Sequence, residues 1–155
     1  MVPNLGAAQD TCPVTAPPNP PFVPPAPYRP IAPQGTFWYG SDALWTQLPI
    51  EGVWHGLPRR DNGGYFKLFL WQQGFDWRRE PQPDIIVALR RLDASVPPVS
   101  SRGGTTANFG GITTMLTGVL FPTVGCWEVT GRVADASLTF VTFVVRIGQG
   151  PDWRP

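Results

Sequence analysis

A chain of 155 residues with a formal charge of +1 is long enough for one domain with its own core and carries no basic field to hold nucleic acid. Twenty prolines and seventeen glycines would suit disorder if they were spread evenly, yet ten of the prolines lie between Pro13 and Pro33. Seven Trp, nine Phe and three Tyr exclude a disordered remainder, so residues after about 35 are expected to fold.

In chain order, residues 1–11 read as a spacer or the remnant of an export signal. The small-residue stretch Leu5-Gly6-Ala7-Ala8-Gln9-Asp10 suggests it. Residues 12–35 form a proline-rich arm. Each proline fixes φ and removes an amide donor, so extended or polyproline II chain is expected rather than helix or central strand. Phe22, Val23, Tyr28 and Ile31 are apolar residues that a free linker would not need, which favours an arm lying against the domain. Residues 36–148 are the β domain and 149–155 a C-terminal tail.

Within the domain, strands are expected near 36–40, 43–48, 52–56, 65–72, 84–92, 114–120, 127–134 and 137–147. Turn residues separate them, including Asp61-Asn62-Gly63-Gly64, and the stretches 73–83 and 94–112 read as loops. The group Asp76-Trp77-Arg78-Arg79-Glu80 carries both signs and reads as a solvated loop. No stretch shows the 3.6-residue period of a long helix. Trp127, Val129 and Val133 alternate with Glu128, Thr130 and Arg132, so Cys126 faces away from Trp127. The strands at 138–145 and 65–71 are apolar on both faces, and a sandwich buries only one. Their second face needs a cover, and the arm is the natural one, with Phe22 and Tyr28 as anchors. The fold class expected is an all-β, immunoglobulin-like antiparallel β-sandwich of about seven to eight short strands with an extended proline-rich N-terminal arm, with a small barrel as the alternative. Trp127, Val129, Phe140 and Phe143 are its expected core.

Cys12 and Cys126 are the two cysteines, and neither sits in a CxxC pair. One disulfide closing a long loop, in an oxidising compartment, is favoured over two separate buried thiols. No run reaches the ~20 apolar residues of a transmembrane helix.

The run Phe121-Pro-Thr-Val-Gly-Cys126-Trp-Glu-Val-Thr-Gly-Arg132, followed by Leu138-Thr-Phe140-Val, closes the domain. With Cys12-Pro-Val-Thr, Phe37-Trp-Tyr-Gly40, Leu44-Trp-Thr and Arg91-Leu-Asp-Ala94, it resembles a group of uncharacterised exported bacterial proteins, many of them lipoprotein-like. The resemblance spans nearly the whole chain. It implies a secreted or envelope-attached domain without an assigned activity and carries over no catalytic residue. Cys12 lacks the small-residue box that precedes a lipid-bearing cysteine, so it is kept as a disulfide partner.

The chemistry-bearing residues are few. His55 is the only histidine, which excludes zinc sites of several histidines, and no G-x-S-x-G or HExxH occurs. Asp42, Asp61, Asp76, Asp84, Asp93 and Asp135 fall in turns, where the side chain bonds local backbone. The glycine-rich stretch Gly103–Gly111 lacks the Gly-Lys-Ser/Thr ending of a phosphate loop. No catalytic residue, metal ligand or cofactor is assigned. Trp38, Tyr39, Trp45 and Trp54 crowd into seventeen residues; of these, Trp38, Tyr39 and Trp54 are named as binding candidates, because aromatic faces stack on sugars and anchor protein contacts. The expected function is a non-catalytic binding or structural module of the cell envelope or the secreted space, recognising protein or glycan. A carboxylate-based hydrolase and a self-assembling surface protein are the alternatives.

Overall fold

The structure, a computed structural model, describes residues 10–58, 64–109 and 112–146. Residues 1–9 of the expected signal remnant at 1–11, the turn residues 59–63, Gly110 and Gly111, and residues 147–155, the last two of the expected domain with the tail, lie outside the described residues.

Among the described residues ten strands follow the arm: β1 (Thr36–Ser41), β2 (Leu44–Pro49), β3 (Val53–Pro58), β4 (Gly64–Leu70), β5 (Ile85–Arg91), β6 (Val99–Arg102), β7 (Thr105–Phe109), β8 (Ile112–Phe121), β9 (Gly125–Val133) and β10 (Ala136–Arg146). β1 and β2 form a hairpin. The other eight are ordered β6-β5-β9-β10-β3-β4-β8-β7. The chain is all-β and has a sandwich-type core, as alternating apolar runs and frequent turns require.

β3 links the two layers. Val53 to Gly56 pair in parallel with Phe143 to Arg146 of β10, and then Leu57 and Pro58 pair with Tyr65 and Gly64 of β4. The layers face each other across one cluster. Ile85, Val87 and Leu89 of β5 and Trp127, Val129 and Val133 of β9 meet Leu68 and Leu70 of β4 and Met115, Val119 and Phe121 of β8. Gly131 sits where the two Leu side chains come closest; a Cβ there would lie 3.7 Å from Leu70. Where β3 has crossed to β10, β2 takes its place beside the far end of β4. Trp45 and Trp71 exchange both backbone hydrogen bonds at 2.9 Å, and the Thr46 hydroxyl donates to the Phe69 carbonyl.

Two strands of the structure occupy a stretch read as loop. β6 and β7 lie inside 94–112 as the outermost strands of the eight. Val99-Ser-Ser-Arg102 and Thr105-Thr-Ala-Asn108 are polar because they are edge strands with little to bury, so they carry no apolar run to read. Phe143 also differs from expectation. It is buried, but three positions from Phe140 it points to the opposite face of β10, where it joins Cys126 instead of the central core.

Candidate functional site

The arm touches the domain in two places, one on the two-faced strand β10 and one on the β1–β2 hairpin beside β4. The first is at β10. Cys12 and Cys126 form a disulfide with Cα atoms 5.6 Å apart. Around it Phe143 and Val145 are buried with Val14, Val53 and Val141 against them. Thr15 takes both backbone groups of Val141 on the edge of β10 ahead of the point where β3 begins to pair. Its N–H donates to the Val141 carbonyl at 2.9 Å, and its hydroxyl accepts the Val141 N–H at 2.8 Å. Val14 lies directly over Gly52, whose φ is +74° and where a Cβ would come within 2.5 Å of the Val14 side chain. Only glycine serves both demands. The outward aspect of Cys126 follows from strand alternation.

Two separated sequence motifs meet at this disulfide. Arg91 Nε donates to Asp93 Oδ1 at 2.7 Å and Nη1 donates to the Thr123 hydroxyl at 2.8 Å. The other carboxylate oxygen of Asp93 accepts the backbone N–H of Cys126 at 3.1 Å. The guanidinium lies flat over Gly125, where a Cβ would meet it at 2.6 Å. The Trp127 indole donates to the Thr123 carbonyl at 3.0 Å, and the Leu92 N–H donates to the Cys126 carbonyl at 2.9 Å. Arg91-Leu-Asp93 and Thr123-Val-Gly-Cys-Trp127 thus form one polar clasp behind the bridge. These motif residues have a structural use: they position the cysteine that holds the arm.

The second contact lies on the hairpin. β1 and β2 alternate cleanly. Phe37, Tyr39, Leu44 and Leu48 face the central core, while Trp38 and Trp45 face the other way. With Trp71, these two indoles make a second apolar cluster, against which Phe22, Tyr28 and Ala32 of the arm and Phe69 of β4 pack. The Trp38 and Trp71 rings meet edge to face at 5.0 Å, and Tyr28 meets Trp45 edge to face at 4.8 Å. The Tyr28 hydroxyl donates to the Gln72 carbonyl at 2.9 Å, and burial raises its pKa above the ordinary phenol value by penalising the phenolate.

Beside this cluster is a groove of about 310 Å³ lined by Trp38, Trp45, Trp71 and Ile112, by Gln47, and by the arm from Tyr28 to Pro33. That volume is at the lower end of small-ligand sites, roughly 300–1,000 Å³. The indole N–H groups of Trp38 and Trp45 are buried and meet no acceptor among the described residues. An unpaired buried donor costs ~1–3 kcal/mol. Ile31 stands 81 % exposed on the rim.

The three binding candidates therefore separate. Trp38 lines the groove. Tyr39 turns inward, and its hydroxyl donates to the Thr139 carbonyl at 2.6 Å. Trp54 is in the core with 6 % exposure, stacked on Phe66 at 4.4 Å and touching Phe121 and Phe140. Trp45 and Trp71 complete the groove. Strand alternation was a usable signal for Trp38, which it sets opposite to Phe37 and Tyr39; the register then shows that Trp45 shares its face, since Trp38 opposes Gln47 and Gly40 opposes Trp45. Nothing local announced Trp71.

Among the described residues, no group of three or more His, Cys, Asp or Glu could hold a metal ion, and His55 is exposed on β3. No helix among them is long and apolar enough to cross a membrane. Comparison with protein-family models, with curated proteins and with solved structures finds no match.

Proposed function

We infer that the chain is a non-catalytic binding module of the bacterial cell envelope or secreted space, which recognises its ligand, protein or glycan, at the aromatic groove beside the arm. The observation that carries this is the groove itself: three indoles and Ile112 line it beside the arm, and two of those indoles carry buried N–H donors that meet no acceptor among the described residues. Large, stiff aromatic faces supply contact area at small entropic cost. The disulfide supports an exported protein, because such bridges persist in oxidising compartments. The resemblance to uncharacterised exported bacterial proteins points the same way.

The strand order supports an immunoglobulin-like arrangement. With β3 to β10 taken as successive strands A, B, C, C′, D, E, F and G, the two layers read A-B-E-D and G-F-C-C′. The bridge departs from the antibody pattern, since it ties β9 to the arm and not to β4.

The test is a screen of the disulfide-intact chain on immobilised peptide and glycan arrays, with bound ligand recovered and analysed for cleavage. Saturable binding of an unaltered ligand, lost on Trp38→Ala with folding retained, is the expected result. Recovery of a cleaved ligand, or binding indifferent to Trp38, overturns the reading.

A further inference from the structure

We propose that the groove takes an extended, proline-rich peptide segment of another chain, whose backbone carbonyls accept from the indole N–H groups of Trp38 and Trp45; this rests on the binding-module reading above. Three observations lead there.

The groove is continuous with an interface that already holds such chemistry. The arm lies on the same indoles: Phe22 is tilted against Trp45 at 6.2 Å, Tyr28 meets it edge-on, and Ala32 and Pro33 stand at the groove wall. Proline-rich segments dock in aromatic-lined grooves because they are extended before binding and lose little entropy there.

The hydrogen-bonding deficit matches. Two of the lining residues, Trp38 and Trp45, carry buried indole N–H donors that meet no acceptor among the described residues. A polyproline II segment is the converse: its carbonyls make no internal hydrogen bonds, and each proline lacks an N–H. A sugar fits worse. Its hydroxyls donate as well as accept, and the groove has few acceptors for them. Gln47 and Arg29 are the polar side chains beside Tyr28, whose hydroxyl is committed to Gln72.

The site needs its wall to move. Both indole nitrogens are buried, so a ligand carbonyl reaches them only when lining residues such as the stretch from Tyr28 to Pro33 shift. Ile31, at the crest of that stretch, is mostly in solvent. Arg29 on the rim favours a ligand with an acidic flank over a basic one.

The test uses the full, disulfide-bonded chain labelled with ¹⁵N, whose seven indole N–H signals report each Trp separately. The probe is an oligoproline of about ten residues, long enough to hold the polyproline II form. The Trp38 and Trp45 signals, assigned with Trp38→Phe and Trp45→Phe, move downfield with a saturable isotherm. Ile31→Asp, at an exposed position, weakens binding at least about fivefold without lowering the melting temperature, because it places a charge at the apolar rim. The proposal is overturned if oligoproline leaves both signals in place, or if Ile31→Asp binds as the parent does. A cello- or chito-oligosaccharide runs in parallel. If the sugar moves these two signals and oligoproline does not, the peptide inference falls while the binding-module reading stands. If neither moves them, the inference falls and the groove loses its standing as the binding site.

Discussion

Replacing Cys12 and Cys126 together by alanine removes a cross-link spanning 114 residues of sequence. In the chain-entropy model, a loop of this size restricts the unfolded state by about 16 cal/mol/K, or about 5 kcal/mol at 25 °C. The folded side loses less. Thr15 keeps its hydrogen bonds to Val141, and Val14 remains over Gly52. For a domain of this length, about 5 kcal/mol corresponds to a fall in melting temperature of roughly 10–20 °C. Urea unfolding of the double variant beside the parent, each with its own fitted slope, gives the difference directly. The arm should also become more sensitive to protease, since its tether is gone while its contacts around Phe143 and Val145 persist. A loss under about 1 kcal/mol, with the arm equally protected, would refute the view that the bridge stabilises the fold by closing this long loop.

Four further outcomes follow from the geometry. Gly52→Ala drives a methyl into Val14 at a left-handed φ and should cost ~1–3 kcal/mol in urea unfolding, with the first arm residues exchanging amide hydrogen faster. Trp54→Ala empties a site among Phe66, Phe121 and Phe140 and should cost ~3–5 kcal/mol, whereas Trp38→Phe keeps a ring in place and costs less. Arg91→Met leaves Asp93 beside the Cys126 amide without its partner and opens the space above Gly125; the loss should reach ~2–4 kcal/mol and couple strongly to Asp93→Asn in a double-mutant cycle. The hydrogen bond from Arg102 holds the Asp84 carboxyl below the ordinary carboxylate value of 3.8. A depressed folded pKa adds stability above the unfolded value that is lost as pH falls through the folded one. The melting difference between parent and Asp84→Asn, small for so exposed a pair, should therefore be present at neutral pH and vanish below that acidic range.

Strand alternation made much of this molecule legible. It placed Cys126 on the outside of β9, which is why an arm could reach it, and it split Phe37 and Tyr39 from Trp38. The two-faced strands β4 and β10 announced that something covers them. Which part of the arm covers which strand was not readable. Val14 and Thr15 serve β10, while Phe22 and Tyr28 serve Trp45 beside β4, a division that depends on the path of the prolines through space. The same parity argument, applied to β10, separates Phe140 from Phe143, so their assignment to one core overlooked a signal that was present. β6 and β7 were invisible for another reason: edge strands of Ser, Thr and Asn have no apolar run, and only their pairing with β5 and β8 defines them. The groove joins residues from Tyr28 to Ile112, and the clasp joins Arg91 and Asp93 to Thr123 and Cys126. Sequence spacing of that kind carries no geometric information until the register of the strands is known.

The most direct test of an exported, bridge-tethered module is the intact mass and peptide map of the chain purified from an exporting host, alkylated with and without prior reduction. The account predicts that no thiol reacts before reduction, that two react after it, and that a single cross-linked peptide joins Cys12 to Cys126. Two freely alkylated cysteines in the folded protein would contradict it, leaving the arm without its tether and the export assignment without its chemical basis.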